Sequence, residues 1–162
     1  MVILGIDPGL NATGYGLLDV ASDRMRMITA GEIRPPRSAP LMNRLARLRD
    51  ELSQIILRHH PDTMVLETVF MHHRYPSTAA RLGHARGVTC LVAQEHGMTL
   101  AEHAPARVKK ALTGNGNASK AQVARMVGQW LGCELPALST DATDALALAI
   151  AHVHMSAGVA RG

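Results

Sequence analysis

Hydrophobic residues in the first part of the chain come in short runs separated by polar or turn-forming residues. The runs at residues 2–6, 13–20 and 24–33 predict three β-strands, and the short turns between them predict hairpin connections. Prolines between residues 35 and 40 then end this pattern. We therefore expect the chain to open with a three-stranded antiparallel meander.

The remainder of the chain alternates between helical spacing and short apolar runs. Helices are predicted at residues 41–59, 77–96, 120–131 and 141–155, and strands at residues 64–69 and 98–102. A strand meander followed by alternating strands and helices favours an α/β fold. We expect a mixed five-stranded sheet with helices on both faces.

Length and composition are typical of a single globular unit. The chain has 162 residues, 47% of them hydrophobic, so we expect one domain at residues 1–157 and a short flexible tail at residues 158–162. No run approaches the roughly 18 apolar residues of a membrane span, and no signal-peptide pattern opens the chain. A cytoplasmic protein without membrane contacts is expected. Cys90 and Cys133 are expected to be buried free thiols.

Positive charge is concentrated in the middle of the sequence. Residues 68–140 carry eight basic and three acidic side chains, whereas residues 1–67 carry eight of each. A positive segment of this kind indicates either a polyanionic partner or an ordinary solvated surface. Charge alone leaves both interpretations open.

Four carboxylates interrupt apolar stretches that are expected to be buried. Asp7 follows the first predicted strand, Glu67 lies within the fourth, and Asp141 and Asp144 open the last helix. An unpaired buried carboxylate costs several kcal/mol, so each needs a partner or a cation. Because positions i and i+3 share a helix face, Asp141 and Asp144 point to the same side.

Each carboxylate taken alone also has a simple structural explanation. Asp7 suits a turn with the following proline and glycine, and Glu67 suits a pair with a buried arginine. Asp141, Ser139 or Thr140 suits a helix N-cap, with Asp144 completing the capping pattern. If all four acids converge, however, they repel each other unless a divalent cation neutralises them. Oxygen ligands favour magnesium or manganese, so the set predicts a one- or two-metal site.

Five segments of the sequence resemble the RuvC family of Holliday junction resolvases, in the same order and with similar spacing. They are GIDPGLNATGYG, LETVF, ARLGHARG, KKALTGNGNASK and TDATDALALAIAH. The resemblance implies an RNase H-like fold and a homodimer that makes symmetric nicks in four-way DNA junctions during recombination and repair. It also implies two Mg²⁺ ions per site, with Mn²⁺ able to substitute, and a branch-migration helicase complex as partner. By the same resemblance the catalytic, metal-binding acids are Asp7, Glu67, Asp141 and Asp144.

In this hypothesis the positive charge of residues 68–140 serves to bind DNA phosphates. The lysines of the family's basic loop match Lys109 and Lys120, which lie on either side of a glycine- and asparagine-rich loop. Neighbouring cations extend the set of predicted phosphate contacts. The full set is Arg74, Arg107, Lys109, Lys110, Lys120 and Arg125.

Phe70 is the only phenylalanine in the chain and directly precedes a polar loop. Its ring is suited to stack on an unpaired base at a junction centre, so we include it in the DNA-binding set. The alternative is that it covers the core beneath the loop.

The predicted helix at residues 77–96 is rich in small residues, which would let two helices approach closely. Symmetric cutting requires two sites related by a twofold axis, so this helix is the predicted dimer interface. The alternative is that the small residues pack on the protein's own sheet. They are Ala79, Ala80, Gly83, Ala85 and Gly87.

Three other functions remain open from the sequence. The opening glycine-rich turn also resembles the phosphate loop of sugar kinases and actin-like ATPases, although the chain leaves no room for their second subdomain. Another RNase H-like nuclease would order its acids differently along the chain. A non-catalytic junction-binding module would bind DNA without metal-dependent nicking.

Overall fold

A computed structural model of the protein describes residues 1–21, 24–68, 76–132 and 138–159. These residues form five strands and five helices around one sheet. The elements in chain order are β1 (Val2–Asp7), β2 (Thr13–Ala21), β3 (Arg24–Ile33), α1 (Leu41–His59), β4 (Thr63–Glu67), α2 (Pro76–Glu95), β5 (Thr99–His103), α3 (Pro105–Thr113), α4 (Lys120–Leu131) and α5 (Thr140–Val159).

The sheet has the strand order β3-β2-β1-β4-β5. The first three strands pair antiparallel, as the meander pattern predicts, whereas β4 joins β1 in parallel and β5 joins β4 in parallel. Parallel neighbours end at the same edge of a sheet. Asp7 and Glu67, the last residues of β1 and β4, therefore lie side by side at that edge.

The two faces of the sheet bury separate hydrophobic clusters, which confirms the prediction of helices on both sides. Successive residues of a strand point to opposite faces, so Ile3 packs on one side and Leu4 on the other. The Leu4 side is covered by α1 and α2, with Leu48 and Leu52 at its centre. The Ile3 side is covered by α3, α4 and α5.

Helix α5 lies unusually close to the centre of the sheet. A Cβ atom added to Gly5 would lie 1.9 Å from the carbonyl oxygen of Ala145, and one added to Gly14 would lie 2.0 Å from that of Asp141. Only glycine fits where two backbones approach this closely. The close packing holds the first turns of α5 against the ends of β1 and β2.

Helix α3 is the element that the sequence pattern does not predict. It has only nine residues, begins with Pro105 and ends at Gly114, whose φ of 77° closes the helix. A helix this short is marginal by itself and depends on tertiary packing. Val108 and Leu112 supply that packing by entering the cluster beneath α5. The observed helix replaces part of the basic loop expected in this region.

Two further predictions have outcomes among the described residues. No helix there is both long enough and apolar enough to cross a bilayer. Cys90 is a free thiol, as predicted, but it is half-buried rather than buried. Cys133 lies outside the described residues.

Candidate active site

The four predicted acids come from three elements that meet at one edge of the sheet. Asp7 and Glu67 end adjacent parallel strands, and Asp141 and Asp144 lie in the first turns of α5. The N-cap of α5 is Ser139, whose Oγ accepts a hydrogen bond from the backbone N–H of Ala142 at 3.2 Å. Since Ser139 supplies the cap, neither aspartate is needed for that purpose.

The electrostatics of the site show that the carboxylates act on one another. Burial raises the pKa of Asp7 to about 7, and the negative charges of Asp144, Asp141 and Glu67 add to the effect. Burial also raises the pKa of Glu67, with Asp144 as the next cause. Because like charges raise one another's pKa, these shifts indicate a shared negative site that favours a proton or a cation.

The simple structural explanations for Asp7 and Glu67 do not account for their side chains. The turn after Asp7 is held by Thr13, whose Oγ1 donates to the backbone oxygen of Gly9 at 2.8 Å and accepts from its N–H at 3.2 Å. Arg86 donates to the backbone oxygen of Glu67 at 2.6 Å and pairs its guanidinium with Glu102. The carboxylates of Asp7 and Glu67 are therefore left for another role.

The donor chemistry of the site suits a hard divalent cation, although the side chains do not form a closed cage. All four candidate ligands are carboxylates, the ligand type that Mg²⁺ and Mn²⁺ prefer. Within the described ranges, no three His, Cys, Asp or Glu side chains lie close enough together to hold an ion. Asp144 instead pairs with Lys120, whose Nζ lies 2.8 Å from its Oδ2. A cation bound here would compete with Lys120 for this carboxylate.

A narrow cleft of about 180 Å³ opens beside Asp7, Glu67 and Asp144. Lys109 of α3 and Lys120 of α4 form its cationic wall, and we call these two residues the lysine flank. Lys120 is positioned as the first residue of α4, directly after the N-cap Ser119. The positive charges of both lysines oppose the rise in the pKa of Glu67.

Comparison with known proteins agrees with this geometry. The profile of the family described as "Crossover junction endodeoxyribonuclease RuvC" matches residues 3–152. The chain belongs to this family. The RuvC protein of Halorhodospira halophila is 45% identical over 152 residues, which cover 94% of this chain and 89% of that protein. The RuvC protein of Azorhizobium caulinodans is 41% identical with the same coverage.

The solved structure of Thermus thermophilus RuvC has the same architecture, with a TM-score of 0.89 and 29% sequence identity. The match covers 98% of this chain and 97% of that chain. The same relative in complex with a Holliday junction substrate also matches with a TM-score of 0.89. These matches confirm the expected RNase H-like α/β fold.

The other predicted DNA contacts of this RuvC family member divide into two groups. Arg107, Lys110 and Arg125 are exposed on α3 and α4 but do not line the narrow cleft. Phe70 and Arg74 lie outside the described residues, so their predicted roles stay predictions. Of the predicted cations among the described residues, Lys109 and Lys120 are the ones that line the cleft beside the carboxylates.

The opposite side of the site contains residues that sequence analysis missed. Asp141 lies in a second cleft of about 410 Å³, together with Arg34, Arg37 and Arg81. Burial raises the pKa of Asp141, the neighbouring Glu32 carboxylate adds to the rise, and Arg34 opposes it. Glu32 and Arg34 lie two residues apart at the end of β3, and this spacing is a local sequence signal for an ion pair. The cleft itself gave none, because Arg81 of α2 is far in sequence from Arg34 and Arg37.

Proposed function

We propose that the protein resolves four-way DNA junctions by paired hydrolytic nicks that leave 5′-phosphate and 3′-hydroxyl ends. The observation that carries this proposal is the convergence of Asp7, Glu67 and Asp144 on one cleft, with Asp141 near enough for its charge to raise the pKa of Asp7. Clustered carboxylates repel one another unless a proton or a cation neutralises them, so the cluster favours a divalent cation. Membership in a family described as crossover junction endodeoxyribonucleases identifies the reaction.

We assign Asp7, Glu67, Asp141 and Asp144 as the ligands of two Mg²⁺ ions, with Mn²⁺ as a substitute. These carboxylates would hold the ions, whose chemistry would be to activate a water molecule and to stabilise the leaving oxygen of a phosphodiester. Asp7 is central because each of the other three carboxylates raises its pKa. Val108 and Val123 form apolar walls of the cleft.

Lys120 has two successive roles in this proposal. In the absence of cations, its ammonium group neutralises Asp144 through the 2.8 Å contact. If a cation occupied that carboxylate, the ammonium group of Lys120 would be available to a substrate phosphate beside the cleft. A positive charge placed there stabilises the negative charge that develops during phosphodiester cleavage.

The function is tested by incubating the protein with a synthetic four-way junction, linear duplex, RNA–DNA hybrid and ATP, each with Mg²⁺, with Mn²⁺ or with EDTA. We expect symmetric nicks in the junction only, in either metal, and none in EDTA. Asp7→Asn is the control for a contaminating nuclease. Junction binding without metal-dependent nicking would instead identify a non-catalytic junction-binding module.

A homodimer is the proposed active form, because paired nicks require two sites. One face of α2 suits this role: Gly83 and Gly87 are exposed and Leu91 is 54% exposed, whereas Ala80 lines a cleft beside Arg44. A Cβ added to Gly83 or Gly87 would meet no atom of the described residues within 4 Å. Ala85, in contrast, is fully buried against the protein's own core. Of the small residues predicted for the interface, those on the exposed face are the proposed contacts.

Sedimentation at micromolar concentration tests the dimer. We expect the wild type to be dimeric and Leu91→Asp to be monomeric, because a charge at the centre of a close helix contact is costly. Leu57→Asp is the matched control, since Leu57 is 60% exposed on α1. A monomeric wild type, with and without junction DNA, would refute the proposed interface.

A branch-migration helicase complex remains a proposed partner on the family resemblance.

A further inference from the structure

A continuous groove runs along the surface on the Asp141 side of the site. It consists of the 410 Å³ cleft beside Asp141 and an adjoining cleft of about 620 Å³. Leu10, Asn11, Arg37 and Arg81 line both clefts and so join them. We call this feature the arginine groove, after its lining residues Arg34, Arg37, Arg44 and Arg81.

The groove carries positive charge that the described residues do not neutralise. Asp141 is the only acidic side chain among the residues that line it. Arg37 and Arg81 have no ion-pair partner in the described part of the chain. Arg47 and Arg49 on the same helix as Arg44, by contrast, pair with carboxylates. The groove therefore presents two guanidinium groups that no described carboxylate pairs with.

The other two arginines hold the wall of the groove in place. Arg44 donates through Nη2 to the backbone oxygen of Leu10 at 2.7 Å and to Oδ1 of Asn11 at 2.9 Å. Arg34 pairs with Glu32, whose side chain is only 11% exposed. Because Leu10 and Asn11 belong to the turn that follows Asp7, these contacts fix the groove relative to the carboxylates.

The chemistry of the groove fits a chain of phosphates. Arginine binds phosphate oxygens through a planar fork of donors, and an elongated groove open to solvent accepts a polymer rather than a small anion. The groove starts at Asp141, whereas the lysine flank lies on the side of Asp144. A strand that crosses the carboxylates between the two sides would enter the groove directly.

We propose that the arginine groove binds the sugar–phosphate backbone of the DNA on the side of the scissile phosphate opposite the lysine flank. Arg37 and Arg81 contact the phosphates, while Arg34 and Arg44 position the wall. This inference rests on the proposed function, because it takes junction DNA as the substrate. It adds a second binding surface to the contacts predicted on α3 and α4.

The test is junction affinity over a salt titration in EDTA, which removes catalysis. Each lost phosphate contact lowers the slope of log K against log salt by about 0.9. We expect Arg37→Ala with Arg81→Ala to lower the slope by roughly 1.8 and to weaken binding roughly tenfold to a hundredfold at ~0.1 M salt. Arg37→Lys with Arg81→Lys should retain most of the slope.

The matched control is Arg26→Ala with Arg58→Ala, which removes the same net charge from exposed positions. Arg58 lies fourteen residues beyond Arg44 on α1, roughly 21 Å along the helix axis. The control pair should keep the wild-type slope. Equal losses in both pairs would mean that only net charge matters, and an unchanged slope in the groove pair would also overturn the proposal.

Uncharged methylphosphonate linkages locate the contact. Placed on one side of the nick site only, they should weaken wild-type binding but have little further effect on the Arg37→Ala, Arg81→Ala variant. Undiminished sensitivity of the variant at every position would overturn the groove assignment. Nicking by the wild type in Mg²⁺ is scored separately. If the wild type nicks the junction but the groove variant keeps the wild-type slope, the groove assignment is wrong. If the slope differs but the wild type never nicks the junction, the proposed function is wrong.

Discussion

The two sides of the active site carry positive charge in different ways. On one side, Lys120 contacts the Asp144 carboxylate and, with Lys109, lines a narrow cleft with apolar walls. On the other side, Arg37 and Arg81 line a wider groove and pair with no carboxylate among the described residues. A charge beside the reacting atoms acts on the chemical step, whereas a charge farther along acts on substrate binding. We therefore expect the lysine flank to control rate and the arginine groove to control affinity.

The largest effect is expected for the carboxylates between the two sides. Each amide variant, Asp7→Asn, Glu67→Gln, Asp141→Asn or Asp144→Asn, should reduce nicking by roughly a thousandfold or more, because a metal ligand is lost from a site of preorganised charge. Junction binding in EDTA should be at least as tight as in the wild type, since one repelling charge is gone. Near-normal nicking by two of these variants would contradict the assignment of the metal site.

The next effect separates the two sides directly. Lys120→Gln should slow single-turnover nicking at saturating protein by roughly a hundredfold, with little change in junction affinity in EDTA. Arg58→Gln is the control, since Arg58 is exposed on α1 and lines neither the cleft nor the arginine groove. The Arg37→Ala, Arg81→Ala variant should show the opposite pattern, with weaker binding and a near-normal rate once saturated. A similar loss of the nicking rate at saturating protein in Lys120→Gln and in the Arg37→Ala, Arg81→Ala variant would show that the two sides do not differ in role.

A smaller effect concerns the stability of the metal-free protein. The pKa of Asp7 is raised to about 7 in the folded state. Because the unfolded state loses this proton at a lower pH, the free energy of unfolding falls as pH rises from about 4 to about 7. Asp7→Asn removes this loss and should raise Tm in EDTA above pH 7, by the equivalent of roughly 4 kcal/mol at most. The two proteins should converge near pH 4.

Asp141→Asn sharpens the same experiment, because Asp141 lies on the arginine side. Its raised pKa is opposed by Arg34, and its environment is less buried than that of Asp7. Its amide should therefore give a smaller gain in Tm. An equal or larger gain for Asp141→Asn would show that the arginine side is as strained as the buried centre.

The smallest effect concerns a pair of histidines that joins β5 to α5. His103, at the end of β5, lies with its Nε2 2.9 Å from Nδ1 of His152 on α5. Burial lowers the pKa of both rings, and for His103 the neighbouring His152 is the second cause. Stability from the neutral pair is present above a pH of about 6.5, the ordinary histidine pKa, and is lost as pH falls.

The Tm of the wild type should therefore fall more between pH 7 and pH 5 than that of His152→Gln, by a few degrees. His60→Asn is the control, since His60 is exposed and its φ of 47° is one that asparagine tolerates. If His152→Gln keeps the full pH dependence, the pair does not titrate in this range.

Some parts of the fold could be predicted from the sequence with little error. The bounds of α1 match the prediction because its apolar stripe is periodic and Pro61 stops it. The acids were conspicuous because each interrupts an apolar run. Helix α3 was missed because nine residues carry too little periodicity, and its stability comes from packing under α5.

The candidate site shows the same division between local and distant information. The lysines could be found from family motifs. The arginine groove could not, since Arg34, Arg37 and Arg44 lie in a segment with equal numbers of acidic and basic residues. Likewise, the sequence of α2 did not distinguish Ala85, which is buried, from Gly83 and Gly87, which are exposed.

The sequence by itself determined which residue types were available for metal chemistry, together with most of the strands and helices, because burial patterns and turn residues act locally. Only the tertiary structure decided which of these residues meet. The parallel pairing of β1 with β4 brings Asp7 next to Glu67, and the close approach of α5 at Gly5 and Gly14 brings the two aspartates of α5 to them. The pKa of Asp7 and the division between lysines and arginines depend on burial and on distances across the sheet, which no local pattern encodes.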